Sequence, residues 1–176
     1  MTLILGIDPG SRVTGYGLVA MQKHRSRHVA SGSVTVGELP FDARLRAIFE
    51  ALTALIREHR PDEVAIEKVF MNRNADSALK LGQARGAAIV AAALCDLPVH
   101  EYSPNEIKLA VVGRGHAAKE QVQHMIKAML ALDAAPATDA ADALAVALCH
   151  GHTRQSLAAI ALAGGAARRG RAGRYL

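Results

Sequence analysis

Apolar positions along the chain switch between continuous runs, alternation and helical spacing, and each switch marks an element. Leu3 to Ile7 is an unbroken apolar run with β-branched members, which predicts a buried strand, and it stops at Asp8 followed by Pro9-Gly10-Ser11. Val13 to Ala20 predicts a second strand after a short turn, which places Asp8 where a central hairpin opens. Arg27 to Val36 supplies a third strand, entered through the basic turn Lys23-His24-Arg25-Ser26-Arg27. From Phe41 to His59, Leu45, Ile48, Phe49, Leu52, Leu55 and Ile56 recur at helical spacing until Pro61 ends the pattern. Glu63 to Glu67 then reads as a short buried strand ending in an acid. A right-handed crossover through the intervening helix sets it parallel to the first strand, with Glu67 and Asp8 at the same edge. Ala75 to Cys95 predicts a long Ala-rich helix with Gly82 and Gly86 on one face, open to close approach by its own sheet or by another helix. Pro98 to Tyr102 is a last strand, Ser103 and Pro104 start a helix, and two more helices run from Ala117 to about Leu132 and from about Thr138 to His150. Residues 1–155 make one domain, and residues 156–176 read as a basic, disordered tail rich in Gly and Arg from Ala163 onward.

Composition narrows the class. The 176 residues suffice for one domain with a substantial core, and with no Trp and 3% aromatics that core is built from Ala, Val, Ile and Leu. The 21 Lys and Arg against 16 Asp and Glu give a net charge of +5, which favours polyanions, nucleic acid first, although a merely solvated basic surface gives the same total. Cys95 and Cys149 form no CxxC pair, so neither a disulfide scaffold nor a zinc ribbon is supported and a reduced, cytoplasmic protein is expected. Cys149-His150-Gly151-His152 matches no common zinc spacing and reads as a helix end. The longest uncharged runs, 86–95 and 156–167, are too short to span a bilayer, and no signal peptide precedes Leu3.

The acids change the picture most. Asp8 alone fits an Asp-Pro-Gly turn as well as it fits catalysis. Asp139 and Asp142, however, lie three residues apart on one face of the last helix, and capping by Thr138 or Asp139 accounts for one acid rather than both. If Asp8, Glu67, Asp139 and Asp142 meet, their charges repel and raise one another's pKa unless a cation sits among them. Carboxylate oxygens suit magnesium or manganese rather than zinc, and such ions serve phosphodiester displacement. Isolated surface acids are common, but these follow buried strands and open an Ala-rich helix.

Four segments together resemble the RuvC family of bacterial Holliday-junction resolvases: Gly6-Ile7-Asp8-Pro9-Gly10-Ser11-Arg12-Val13-Thr14-Gly15-Tyr16-Gly17, Ala65-Ile66-Glu67 with Val69-Phe70, residues 74–86, and Asp139-Ala140-Ala141-Asp142-Ala143-Leu144-Ala145. The resemblance runs to about His150. It implies an α/β, RNase H-like fold with a mixed five-stranded sheet and flanking helices. It also implies a homodimer that nicks opposing strands of a four-way DNA junction in recombination and repair, with RuvA and RuvB as partners. Magnesium is the implied cofactor, two ions per site with manganese as a substitute, held by Asp8, Glu67, Asp139 and Asp142. The family's lysines near the site fall on Lys108 and Lys119, and its aromatic after the second acid on Phe70.

From the residues themselves, Lys119 begins a helix after the basic loop Gly113-Arg114-Gly115-His116, which makes Arg114 and Lys119 candidates for phosphate contact, with plain solvent exposure as the alternative. Phe70 lies in a loop that continues Met71-Asn72-Arg73; it either stacks on an unpaired base or packs inward, and Arg73 is a further DNA-binding candidate. Two rival functions remain at this point. An actin-like sugar or acetate kinase shares the Asp-Pro-Gly hairpin but needs a second such domain. A non-catalytic junction binder needs the acids to be missing.

Overall fold

The computed structural model describes residues 1–23, 25–69, 74–115 and 117–172, with side chains through residue 161. Five strands, β1 (Thr2–Asp8), β2 (Val13–Gln22), β3 (Arg25–Thr35), β4 (Glu63–Glu67) and β5 (Val99–Tyr102), form one sheet in the order β3-β2-β1-β4-β5. β1, β2 and β3 are an antiparallel meander, while β4 and β5 run parallel to β1, so the expected mixed sheet is present. Helices α1 (Phe41–His59) and α2 (Ala75–Ala93) follow β3 and β4, and α3 (Pro104–Val112), α4 (Lys119–Met129) and α5 (Thr138–Ala172) complete the chain.

The period of two along each strand sorts side chains between two cores. Leu5, Ile7, Val64 and Ile66 face α1 and α2, where they meet Ile48, Leu52, Ile56, Ala84 and Ala88. Ile4 and Ala65 face the other way, with Ile107, Val122, Ile126, Leu144 and Leu148 from α3, α4 and α5. Each fully buried Leu or Ile contributes about 1.5–3 kcal/mol, so the two cores together fix the sheet between its helical layers. α5 lies directly on the sheet because Gly6 has no side chain: a Cβ there would stand 2.1 Å from the Ala143 carbonyl oxygen. The start of α3 is a capping box, with the Glu106 amide donating to Ser103 Oγ at 3.3 Å and the Ser103 amide donating to Glu106 Oε2 at 2.7 Å.

Several boundaries depart from the sequence reading. β3 already begins at Arg25, because its pairing with Gln22 continues to the tip of the hairpin. α2 stops at Ala93, and α4 is confined to Lys119–Met129 because Ala118 is extended and Ala131 takes a positive φ of 49°. The largest correction concerns the tail: α5 does not end near His150 but continues to Ala172, so most of the segment expected to be disordered is helical. Burial stops early in that stretch, with Leu157 and Ile160 exposed. The Ala- and Leu-rich composition after His152 sustains the helix through propensity instead. Gly82 and Gly86 are not against the sheet either; nothing lies within 4 Å of where their Cβ atoms would be, and the packed face of α2 is Ala84, Ala88, Ala91 and Ala92. No described helix is long and apolar enough to cross a membrane.

Candidate active site

The parallel pairing of Ile7 with Ile66 puts Asp8 and Glu67 side by side at the ends of β1 and β4. Both continue the face that carries Gly6 and Ala65, which is the face α5 covers. The turn after Asp8 is tied from inside: buried Thr14 donates its hydroxyl to the Gly10 carbonyl at 2.9 Å and accepts from the Gly10 amide at 3.3 Å. Gly15, the residue paired with Asp8 across the hairpin, lets the first turn of α5 settle there, since a Cβ at Gly15 would lie 2.1 Å from the Asp139 carbonyl oxygen. One turn further along α5, Asp142 joins Asp8 and Glu67 in lining a pocket of about 310 Å³. Lys108 of α3 and Lys119 at the start of α4 close its other side. Lys119 Nζ stands 3.5 Å from Asp142 Oδ2. From beneath, Arg85 of α2 donates its Nε to the Glu67 carbonyl at 3.2 Å and pairs through its other nitrogen with Glu101 of β5 at 2.5 Å.

Proton affinities follow from this crowding. Burial, then the neighbouring charges of Glu67, Asp142 and Asp139, push Asp8 up to about 8. Burial also raises Glu67, which hydrogen-bonds Asp8, and the two carboxyls titrate as a pair that retains a proton near neutrality. Asp142 is raised by burial as well, against the opposing pull of Lys119. Carboxyls that hold protons so strongly waste free energy as bare anions. A hard divalent cation taking the proton's place satisfies the same oxygens, and the donor set therefore fits magnesium or manganese.

Five of the residues singled out in the sequence, Asp8, Glu67, Asp142, Lys108 and Lys119, meet around one pocket. Asp139 is at its side, against Gly15, near enough for its charge to act on Asp8 and Asp142. Arg114 is exposed in the loop after α3 and does not line the pocket. Phe70 and Arg73 lie outside the described residues. Sequence reasoning missed Arg85 and Thr14. Thr14 carried a signal, as a polar residue in an otherwise apolar strand, whereas nothing local marks Arg85 as the one that crosses to Glu67.

The family model for crossover junction endodeoxyribonuclease RuvC matches residues 4–150. A crossover junction endodeoxyribonuclease RuvC from Shewanella sp. strain W3-18-1 is 59% identical over 169 residues, covering 96% of each chain. That of Marinobacter nauticus is 58% identical over 171 residues, covering 97% of this chain and 98% of its own. Among solved structures, Thermus thermophilus RuvC in complex with Holliday junction substrate superposes with a TM-score of 0.84 at 36% identity, over 89% of this chain and 96% of that one. A family match across most of the chain, near-complete coverage of both relatives and the shared RNase H-like sheet agree with one another, and this chain belongs to the RuvC family of crossover junction endodeoxyribonucleases.

Proposed function

We propose that this chain is a structure-selective endonuclease that resolves Holliday junctions by paired, symmetric hydrolytic nicks, in recombination and DNA repair. The observation that carries the reading is the convergence of Asp8, Glu67 and Asp142 with Lys108 and Lys119 in one pocket at the end of the sheet. The family match sets aside the kinase reading, and the retained acids set aside the non-catalytic binder.

Asp8, Glu67 and Asp142, with Asp139 beside them, are the residues to hold the divalent ions, magnesium in the first place, two per site, with manganese as a substitute. When bound, such ions activate water and neutralise charge on a phosphodiester undergoing displacement. The chain's own groups do the rest. Asp8 and Glu67 give up the proton they hold between them as the site fills. Lys119, poised on Asp142, and Lys108 present positive charge to the scissile phosphate, and the pocket between them admits the backbone. Lys119 is placed to act on the reacting group, while Phe70, Arg73 and Arg114 supply contacts to the junction strands on either side.

One such pocket cuts one strand, and a junction needs two symmetric cuts, so the working unit is a two-fold homodimer. The outward face of α2 supports this, because Leu79 and Val90 are exposed in line with Gly82 and Gly86. The expected partners are RuvA and RuvB, and the place of action is the bacterial cytoplasm, where the DNA is.

The test is cleavage of a synthetic four-way junction beside linear duplex of the same sequence. Symmetric nicks near the branch are expected with magnesium or manganese, and binding without turnover in calcium, which coordinates more loosely. Asp8→Asn is expected to lose at least a hundredfold in cleavage while binding the junction at least as tightly, since a charge that repels phosphate is gone. Retained cleavage in that variant removes Asp8 from the mechanism.

A further inference from the structure

Glu63, His100 and His150 are separated by up to 87 positions in sequence, yet their donor atoms lie within 4.8 Å of one another. The group is distinct from the carboxylate pocket. Glu63 and Glu67 are at opposite ends of β4, about 13 Å apart along the strand. We propose that Glu63, His100 and His150 form a second metal site, built for a zinc-type ion rather than for magnesium.

The donor set is two imidazoles and one carboxylate, which leaves a fourth position for water and suits borderline transition ions. Its outer contacts are already in place. His150 Nδ1 is hydrogen-bonded to the Tyr102 hydroxyl at 2.7 Å, so Nε2 is the nitrogen turned toward the other two residues. Glu63 Oε1 is engaged by Arg154 Nε at 3.0 Å, which leaves Oε2 as the inward oxygen. Metal-ligating imidazoles and carboxylates characteristically have their second polar atom held in this way.

The inward atoms need modest adjustment. His150 Nε2 and Glu63 Oε2 are 2.5 Å apart, and His100 Nε2 is 3.9 Å from the same oxygen. Around one ion with bonds of about 2.0–2.2 Å, ligand atoms separate by roughly 3.3–3.5 Å. The first contact therefore opens by less than about 1 Å, releasing the proton it holds, and the second closes by about half an ångström. His150 is fixed, at 4% exposure, whereas His100 is 42% exposed and free to turn. It has to turn, because its ring now stacks on His150 with centroids 4.2 Å apart and 23° between planes, and two stacked rings cannot aim both lone pairs at one point. An ion at this place would tie β4, β5 and α5 together at the end of the sheet away from the acids.

The experiment is zinc binding by the full chain in excess magnesium, read as metal per chain after dialysis and as a shift in melting temperature. Wild type and Asp8→Asn are expected to retain one zinc per chain and to melt several degrees higher with it. His100→Ala and Glu63→Gln are expected to bind zinc at least tenfold more weakly and to lose the melting shift. His100 is half-exposed, so its variant isolates binding from folding, and junction binding by each variant checks that it is folded. Zinc retained undiminished in His100→Ala, zinc lost in Asp8→Asn, or no zinc bound by wild type in excess magnesium each overturns the proposal.

Discussion

At Asp8 the loss of water and the charges of Glu67, Asp142 and Asp139 act together, and the carboxyl holds its proton to about pH 8. In the unfolded chain the same group titrates near 3.8, so between those values the folded state binds more protons than the unfolded. Without metal, stability due to this group is therefore greatest below about pH 4 and is lost as pH rises through 8; Glu67 and Asp142, also raised, act in the same direction. Melting in chelator from pH 5 to 8.5 should show Tm falling by several degrees in wild type, with a shallower fall in Asp8→Asn and recovery on adding magnesium. A flat profile would show that Asp8 is not crowded as described. Arg85 is a positioning residue, since it touches the Glu67 backbone and Glu101 rather than the pocket. Arg85→Ala should raise the magnesium concentration for half-maximal cleavage several-fold and leave junction affinity unchanged, with partial rescue by Arg85→Lys. Equal loss of binding and cleavage would instead indicate general structural damage.

At the scale of elements, the site depends on how closely α5 approaches the β1–β2 hairpin. Gly6 and Gly15 set that distance, because a methyl at either would be 2.1 Å from a carbonyl oxygen of α5, and a helix backbone does not yield as a flexible side chain does. Gly15→Ala should cost about 1–3 kcal/mol and displace Asp139 and Asp142 together. Cleavage should fall well beyond what lost stability explains at a temperature where the variant is fully folded, and chemical denaturation beside a cleavage assay separates the two. Glycine at the same places in a free strand is merely permissive; here it is what allows a helix to bring carboxylates to a strand end.

For the whole molecule, the outward stripe of α2 is the surface on which the dimer rests. Gly86→Arg with Val90→Asp places charge at open positions that support no core in the monomer, so the fold should survive and the dimer should not. Light scattering is expected to give a monomer, and junction assays should give single nicks without paired resolution. Mixed dimers of wild-type and Asp8→Asn subunits should likewise nick one strand. Full resolution by either would exclude two coordinated sites.

What the sequence by itself determined was everything carried by short-range order. All five strands and most helix boundaries follow from periods of two and 3.6, from caps such as Ser103 and from stops such as Pro61, each readable within a few residues. The acids were legible because Asp8 and Glu67 end apolar runs and Asp139 and Asp142 share a helical face. Tertiary structure decided what no period encodes. Whether Gly82 and Gly86 face inward depends on which stripe of an almost uniformly small-residue helix meets the sheet, and Ala84, Ala88 and Ala91 offered the same chemistry. Arg85 reaches Glu67 across 18 positions, and Glu63 reaches His150 across 87. Such partners come together only when the sheet order and the two helical layers are set. The far end of α5 followed a third logic: its helix outlasts its burial, so a reading based on buried faces ended it at His150 while backbone propensity carried it to Ala172.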